Sequence, residues 1–297
     1  MTADPKPLIL DFDDSVLPVA GTETRLPLND WQEAVRFGAA MPVYARMERH
    51  LRERLPRTYG CVFTGSGDYH HISLFLLRHL IAAQRLGPES LDVVVCDNHP
   101  DNMRYLFGLH CGSWVRHAAR LAAVRHIHVL GITSMDISAA RAWENYLGPF
   151  FRKKLTYWSI SVRASWLGLI GRKACAKSFS SPEALLASFF PALRDARRIY
   201  LSIDKDVLDP NVVRTNWDQG VFAVSHLESV IGACADRLCG ADVCGEISSY
   251  TYKSAFKRFL AGLDAQDKAA ALDLEQARKD HQALNIRLAH LLRAVQC

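Results

Sequence analysis

Six short runs of apolar residues recur along the chain, and each run ends in polar residues. The runs are PLILDFDDS, GCVFTGSGDYHH, LDVVVCDNHPD, HIHVLGITS, RIYLSIDKDVLDP and GADVCGEISS. Their length and their content of Val and Ile are typical of strands that are buried on both faces. We therefore predict six buried strands with polar side chains at their ends.

Helical patterns of apolar residues lie between these predicted strands. The segment HHISLFLLRHLIAAQRLG ends with Gly87 in a C-cap position, and SSPEALLASFFPALRDA begins with Ser181 and Pro182 in cap and first-turn positions. In SHLESVIGACADRL, Ser225 and Glu228 have the spacing of a capping box. The alternation of strands and helices predicts an α/β protein with a parallel sheet, in which ligands bind beyond the carboxyl ends of the strands.

The domain organisation follows from the length of 297 residues and the apolar content of 49%, which suffice for one large α/β domain or two small ones. The chain has no internal repeat and no low-complexity linker, so we predict a single domain, 1–297. Residues 264–297 are predicted to be a C-terminal helical extension, with one long surface helix from Asp264 to Val295. Residues 152–180 are either an insertion over the site or an ordinary strand-loop segment.

Charge and cysteine content narrow the partners and the compartment. The net charge of +5 is spread along the chain without a block of like charges, so the sequence does not indicate nucleic-acid binding. The eight cysteines form no C-x-x-C pair, which predicts a reduced, cytoplasmic chain. There is no basic segment followed by a long apolar core at the N-terminus and no run of eighteen apolar residues, so we predict neither secretion nor a membrane span.

Candidate ligands cluster after two of the predicted strands. Side chains at alternate positions of an extended segment point the same way, which places Asp97, His99 and Asp101 on one side. The same rule brings Asp204 and Asp206 together. Crowded carboxylates are costly unless a cation compensates, and oxygen ligands with a minority of imidazole suit Mn²⁺ or a similar divalent ion. Enough carboxylates are present to bridge two ions about 3.5–4 Å apart.

Three motifs carry a family resemblance. In this order, GSGDYHHIS, DNHPDNM and SIDKDVLDP resemble the metal-binding motifs G-G-D-H-S, D-A-H-x-D and S-x-D-x-D-x-x-D-P of the arginase and agmatinase (ureohydrolase) family. The third match is complete from Ser202 to Pro210. The resemblance implies a three-layer α/β/α, arginase/deacetylase-like fold with a mostly parallel sheet. It also implies a binuclear manganese site, where a bridging hydroxide attacks an amidine or guanidine carbon.

The resemblance also implies how the ligands are divided between two Mn²⁺ ions per chain. Asp97 and Asp204 would bridge the ions, Asp101 would complete one ion, and His99 with Asp206 would complete the other. The sequence does not distinguish Mn²⁺ from Fe²⁺, Co²⁺ or Ni²⁺.

The first motif departs from the family pattern by an insertion, which leaves two adjacent histidines. We expect His70 to be the remaining ligand, because it needs the smaller gap, with His71 as the alternative ligand or as its neighbour.

Five residues are candidates for catalysis or substrate contact. Asp101 could accept the proton of the hydroxide and pass it to the leaving amine. His110 is either a proton shuttle or a surface or helix-capping histidine. Glu246 lies where the family places a glutamate that binds the guanidinium group, and its alternative is a buried carboxylate paired with an arginine. Trp217 and Asp218 would form a bulkier and more polar substrate wall than the family's small Thr- and Gly-rich loop.

We therefore predict a hydrolase that cleaves a C–N bond in a small guanidino, amidino or related amide compound, and the resemblance suggests a homo-oligomer. Three alternatives remain. Asp11 and Asp13 in LDFDDS resemble the D-x-D-x-[ST] motif of haloacid-dehalogenase-type phosphatases. The adjacent histidines allow a single-zinc, deacetylase-like amidohydrolase. A non-catalytic binding scaffold is the third.

Overall fold

The apolar runs form the centre of one large sheet. The computed structural model describes residues 5–255, 257–258 and 274–293. The strands are β1 (Leu8–Asp11), β2 (Thr24–Pro27), β3 (Gly38–Ala39), β4 (Val62–Phe63), β5 (Leu91–Cys96), β6 (Leu109–His110), β7 (Val124–Ile132), β8 (Leu155–Ile160), β9 (Ala176–Phe179), β10 (Ile199–Asp204) and β11 (Leu238–Cys244). All six predicted strands are confirmed, as β1, β4, β5, β7, β10 and β11.

Within the described residues, the large sheet has nine strands in the order β2-β1-β4-β11-β10-β5-β7-β8-β9. Every pairing of neighbouring strands in it is parallel. Its centre is β10, which lies between β5 and β11: Ile203 is in register with Cys96 on one side and with Val243 on the other. Parallel strands end at the same edge of a sheet, so the polar residues after β5, β10 and β11 meet there.

Helices cover both faces of this sheet. They are α1 (Gln32–Val35), α2 (Met41–Arg54), α3 (Ile72–Ala83), α4 (Trp114–Ala118), α5 (Gly148–Phe151), α6 (Trp166–Leu169), α7 (Pro182–Phe189), α8 (Val224–Cys234) and α9 (Leu274–Leu291). Val93 and Val95 join a core with α2, α3 and α4, whereas Val94 and Cys96 join a second core with α7, α8 and α9. This arrangement is three-layered, and it confirms the predicted α/β/α class with a parallel sheet.

One of the three predicted helix caps is confirmed by the structure. Ser181 caps α7, where its hydroxyl accepts a hydrogen bond from the backbone of Ala184. The prediction for Gly87 was wrong, because α3 ends earlier, at a C-cap on Gln84. The prediction for Ser225 was also wrong: α8 starts one residue before it, and the ring of His226 accepts a hydrogen bond from the N-cap backbone. The imidazole of His226 here takes the place of the carboxylate expected from Glu228.

Residues 152–180 and the predicted C-terminal extension are the two remaining segments. Residues 152–180 include β8 and β9, so they form an ordinary strand-loop segment at one end of the sheet. Part of the predicted C-terminal extension, 264–273 and 294–297, lies outside the described residues. Helix α9 is not merely a surface helix, because His281, Asn285 and Leu288 on its inner side are buried. No helix in the described part of the chain is long and apolar enough to span a membrane.

Candidate metal centre

The ends of β5 and β10 bring the predicted ligands to one edge of the sheet. Asp97 and Asp101 follow β5, and Asp204 and Asp206 lie at the end of β10. The two strands are hydrogen-bonded neighbours, and all four carboxylates are buried. The backbone at Asp101 has a φ of +46°, a conformation that costs energy for a residue other than glycine.

One group of potential ligands is centred on His70. Its Nδ1 atom lies 2.8 Å from Asp101 Oδ2, 3.2 Å from Asp97 Oδ2 and 3.5 Å from Asp204 Oδ2. Burial alone would lower the pKa of His70, but the neighbouring Asp101 and Asp97 outweigh it and raise the pKa well above its usual value. The four side chains therefore converge on one small volume.

A second group is centred on His99. Its Nδ1 atom lies 2.9 Å from Asp206 Oδ2 and 3.5 Å from Asp97 Oδ1. Asp97 thus presents one oxygen to each group, which is the geometry that a carboxylate between two cations requires. In each of the sets His70-Asp97-Asp101 and Asp97-His99-Asp206, the ligand atoms lie within 4.8 Å of one another.

The chemistry of these side chains fits divalent cations. Burial and repulsion from neighbouring aspartates raise the pKa of Asp204 and of Asp206. Asp97 Oδ2 is buried and, apart from its contact with His70 Nδ1, has no hydrogen-bond partner, although a buried acceptor is normally satisfied. Four carboxylates with two imidazoles form an oxygen-rich donor set that suits Mn²⁺. Two divalent ions would balance the charge of the four carboxylates.

The structure separates the two adjacent histidines. His70 faces the carboxylates, whereas His71 belongs to none of the ligand groups found among the described residues. His71 is buried at the start of α3 with its ring 6.0 Å from that of Tyr44. Burial and the neighbouring His110 lower the pKa of His71 well below its usual value, so its ring is neutral.

Cys244 is a candidate ligand that the sequence did not indicate. Its Sγ atom lies 3.1 Å from Asp204 Oδ2, and it forms a third potential group with His70 and Asp204. Cys244 is in register with Asp204 on the neighbouring strand β11. The order of strands in the sheet creates this proximity, and only knowledge of that order could have revealed it.

Hydrogen bonds from a second layer orient both histidines. Asp218 Oδ1 lies 2.8 Å from His99 Nε2, which leaves Nδ1 towards Asp97 and Asp206. Ser202 Oγ donates to Asp242 Oδ1 at 2.8 Å and lies 3.0 Å from His70 Nε2. Because the serine proton is directed to Asp242, its oxygen can accept from His70 Nε2, which leaves Nδ1 towards the aspartates.

The candidate centre lies at the base of a cleft of about 710 Å³. Of the predicted catalytic and substrate-contact residues, Asp101, His110, Trp217 and Asp218 line it. Its outer wall also contains Arg104, Arg141 and Trp143.

His110 acts as a helix cap, which is the second of its two predicted roles. Its Nδ1 accepts a hydrogen bond from the Gly112 backbone at 3.0 Å. Burial lowers the pKa of His110 to about 3, so the ring is neutral.

Glu246 is not among the residues that line the cleft. Its carboxylate accepts hydrogen bonds from the Lys205 ammonium group and from Asn285 Nδ2, and both Lys205 and Glu246 are buried. His281 Nδ1 lies 3.3 Å from the same carboxylate. Glu246 is therefore a buried carboxylate paired with a cation, which is the second of its two predicted roles. The cation is a lysine in place of the expected arginine.

The aspartates of LDFDDS also lie outside the cleft lining. Asp11 forms an ion pair with Arg25, and the buried side chain of Asp13 forms one with Arg36 at 3.2 Å. Arg36 in turn contacts Asp68 at 2.7 Å. The carboxylates of Asp11 and Asp13 are thus engaged in ion pairs outside the cleft. This geometry does not favour the phosphatase alternative.

No family model matches the chain. An uncharacterised protein of Thermotoga maritima is 27% identical over 193 residues, which cover 65% of this chain and 60% of that protein. The chain thus matches less than two thirds of the length of this curated relative.

Three solved structures resemble the whole chain. The agmatine ureohydrolase of Thermoplasma volcanium has a TM-score of 0.55 at 14% identity, over 98% of this chain and 90% of that one. The proclavaminate amidino hydrolase of Streptomyces clavuligerus gives 0.53 at 16%, over 98% and 92%. The Trypanosoma cruzi formiminoglutamase, solved with Mn²⁺, gives 0.53 at 12%, over 99% and 94%. The chain therefore has the arginase-like α/β fold that these three enzymes share.

Proposed function

We propose that this chain is a metal-dependent hydrolase of the arginase and agmatinase family, which cleaves a C–N bond of a small guanidino, amidino or related amide compound at a binuclear Mn²⁺ site. The observation that carries the proposal is the position of Asp97, whose two carboxylate oxygens face two separate groups of buried ligands. The ion-binding motifs, the fold and the Mn²⁺ in one structural neighbour support the same assignment.

The ligand roles are part of the proposal. His70, Asp101 and Asp97 would hold one ion, His99, Asp206 and Asp97 the other, and Asp204 would contact both. Bound Mn²⁺ would lower the pKa of water, so that hydroxide is available at neutral pH, and would stabilise negative charge on the attacked group. Cys244 lies beside His70 and Asp204, the residues that would hold the first ion, and could serve there as an additional ligand.

Residues of the chain supply orientation and proton transfer. Asp218 and the Asp242–Ser202 pair hold the rings of His99 and His70 in the ligating orientation. Asp101 lies in the cleft beside the site and is our candidate to carry a proton from water to the leaving nitrogen. Burial lowers the pKa of His110 to about 3, so its ring is a weak base at neutral pH and we assign the proton transfer to Asp101.

Elemental analysis of the Mn²⁺-loaded protein tests the proposal. We expect about two ions per wild-type chain. Asp204→Asn removes a charge shared by both ions, so we expect this variant to lose bound metal and turnover. Asp195→Asn is the matched control, because Asp195 is exposed near the amino end of β10 and should leave the metal content unchanged. Unchanged metal in Asp204→Asn, or none in the wild type, would reject the site; the latter result would favour a binding scaffold.

A further inference from the structure

Lys205 occupies the carboxylate of Glu246, the position where the family resemblance implies a glutamate that binds a guanidinium group. The carboxylate is buried, bonded to an ammonium group and to Asn285, and absent from the cleft lining. The chain itself thus provides the cation for this carboxylate.

Trp217 in the wall of the cleft offers a hydrogen-bond donor, whereas a carboxylate offers an acceptor. Its indole Nε1 is buried and has no hydrogen-bond partner. A β-carbon added at Gly67 would lie 3.3 Å from Trp217 Nε1 and 3.0 Å from Asp204 Oδ2. The indole nitrogen and the candidate metal ligand Asp204 therefore flank the same narrow space. Stacking on Phe37, with ring centroids 6.3 Å apart, helps to fix the ring there.

An indole N–H can only donate a hydrogen bond. A guanidinium or amidinium group also presents donors alone, so it cannot satisfy Trp217. A carbonyl oxygen is an acceptor and can do so. A site that hydrogen-bonds one kind of substrate rejects an analogue that leaves a buried polar group unpaired, which makes this difference strong enough to set specificity.

We propose that the substrate is a neutral carboxamide or ureide, and that its carbonyl oxygen accepts a hydrogen bond from Trp217 Nε1. This inference rests on the proposed hydrolase function and narrows its substrate class. For an amide, the oxygen of water bonds to the carbonyl carbon, the C–N bond breaks, and the nitrogen takes up a proton. The products are a carboxylic acid and an amine, and no oxidant or reductant is consumed.

A matched compound series tests the substrate class. N-butylacetamide, N-butylurea and N-butylguanidine share one tail and release the same amine, and the benzyl series repeats the comparison with a second tail. With the Mn²⁺-loaded protein, we expect kcat/KM to be at least tenfold higher for the acetamide or the urea than for the guanidine. The reverse preference would overturn the inference while leaving the hydrolase proposal intact.

The indole proton of Trp217 gives a readout that does not depend on turnover. We would label the six tryptophans with ¹⁵N, load the protein with diamagnetic Zn²⁺, and assign Trp217 by the signal missing in Trp217→Phe. Acetohydroxamate carries a carbonyl oxygen and should shift this proton downfield, whereas guanidinium chloride should not. A shift with guanidinium alone, or none with either compound, would overturn the inference.

Two controls separate the outcomes. Trp31→Phe makes the same substitution outside the cleft lining and should keep both the compound preference and the Trp217 signal. Trp217→Phe should lose at least tenfold in kcat/KM for the acetamide or urea but not for the guanidine. The compound series and the titration of the wild-type spectrum remain decisive even where Trp217→Phe does not fold. A protein that binds neither Mn²⁺ nor Zn²⁺ would overturn the proposed function and this inference together.

Discussion

The Lys205 ammonium group donates a hydrogen bond to Glu246, and neither side chain is exposed by more than 2%. Lys205 lies between the candidate ligands Asp204 and Asp206, whereas its other partners, His281 and Asn285, belong to α9. The buried ammonium group of Lys205 therefore connects the loop after β10 to helix α9.

Lys205→Met should destabilise the protein, because it leaves the Glu246 carboxylate buried without its cation. Removal of one partner from a buried ion pair costs about 3–5 kcal/mol. We expect a loss of that size in the free energy of unfolding, measured by urea denaturation of chelator-treated protein. The double variant Lys205→Met/Glu246→Leu should lose less than the single variant, because no uncompensated charge remains.

An exposed lysine of the same C-terminal helix provides the control for this prediction. Lys279 forms an ion pair with Glu275 one turn away, and both side chains are mostly exposed. Lys279→Met should change the free energy of unfolding by less than about 0.5 kcal/mol. Equal losses for the two lysine variants would show that the buried pair has no special role.

The contribution of Asp204 and Asp206 to the stability of the metal-free protein should fall as the pH rises from 5 to 8. Burial and neighbouring carboxylates raise the pKa of Asp204 and Asp206, so the folded chain retains protons that the unfolded chain releases near pH 4. Their contribution to stability is present in acid and is lost as the pH passes through the raised pKa values. Urea unfolding of the wild type and of Asp204→Asn at the two pH values isolates the share of Asp204 in this loss.

From pH 5 to pH 8, the change in the free energy of unfolding should be at least about 1 kcal/mol more favourable for Asp204→Asn than for the wild type, since each unit of pKa shift corresponds to about 1.4 kcal/mol. Asp204→Asn should also abolish the rise in melting temperature that Mn²⁺ gives the wild type. Asp195→Asn should behave like the wild type in both measurements. The cluster is not the source of the effect if all three proteins show the same pH dependence.

Asp218→Ala should weaken metal binding by about 10- to 100-fold, the usual cost of losing a carboxylate that orients a ligating histidine. Asp218 lies 2.8 Å from His99 Nε2, and without it the ring is free to turn away from Asp97 and Asp206. Competition with a chelator measures the affinity. Asp195→Ala should retain wild-type affinity, and an equal effect of the two alanine variants would contradict the orienting role.

The central strands and most candidate ligands could be predicted because their signals are local. A buried parallel strand is a short run of apolar residues, and the polar residues after such runs converge at one edge of the sheet. Alternation along the strand end was enough to group Asp97, His99 and Asp101. The insertion in the first motif left two candidates for the remaining ligand, His70 and His71, because only the position of α3 relative to the sheet distinguishes the two rings.

The remaining features depend on contacts between distant parts of the chain. Cys244 reaches Asp204 through the pairing of β10 with β11, and Lys205 meets α9 residues more than seventy positions away. Neither contact leaves a periodic pattern in the sequence. The role of Glu246 likewise depends on which cation the fold brings to it, and a motif position alone does not specify that partner.

Asp13→Ala should reduce stability without reducing metal content. The buried Asp13 carboxylate pairs with Arg36 and accepts hydrogen bonds from Ser15 and Ser248, so its loss removes one of the two acidic partners of a buried guanidinium group. We expect a loss of about 3 kcal/mol in urea unfolding, with about two ions per chain retained. The exposed Asp14 provides the control variant Asp14→Asn, which should stay close to the wild type. Mg²⁺-dependent hydrolysis of p-nitrophenyl phosphate by the wild type, abolished by Asp11→Asn, would instead show that LDFDDS is a phosphatase motif.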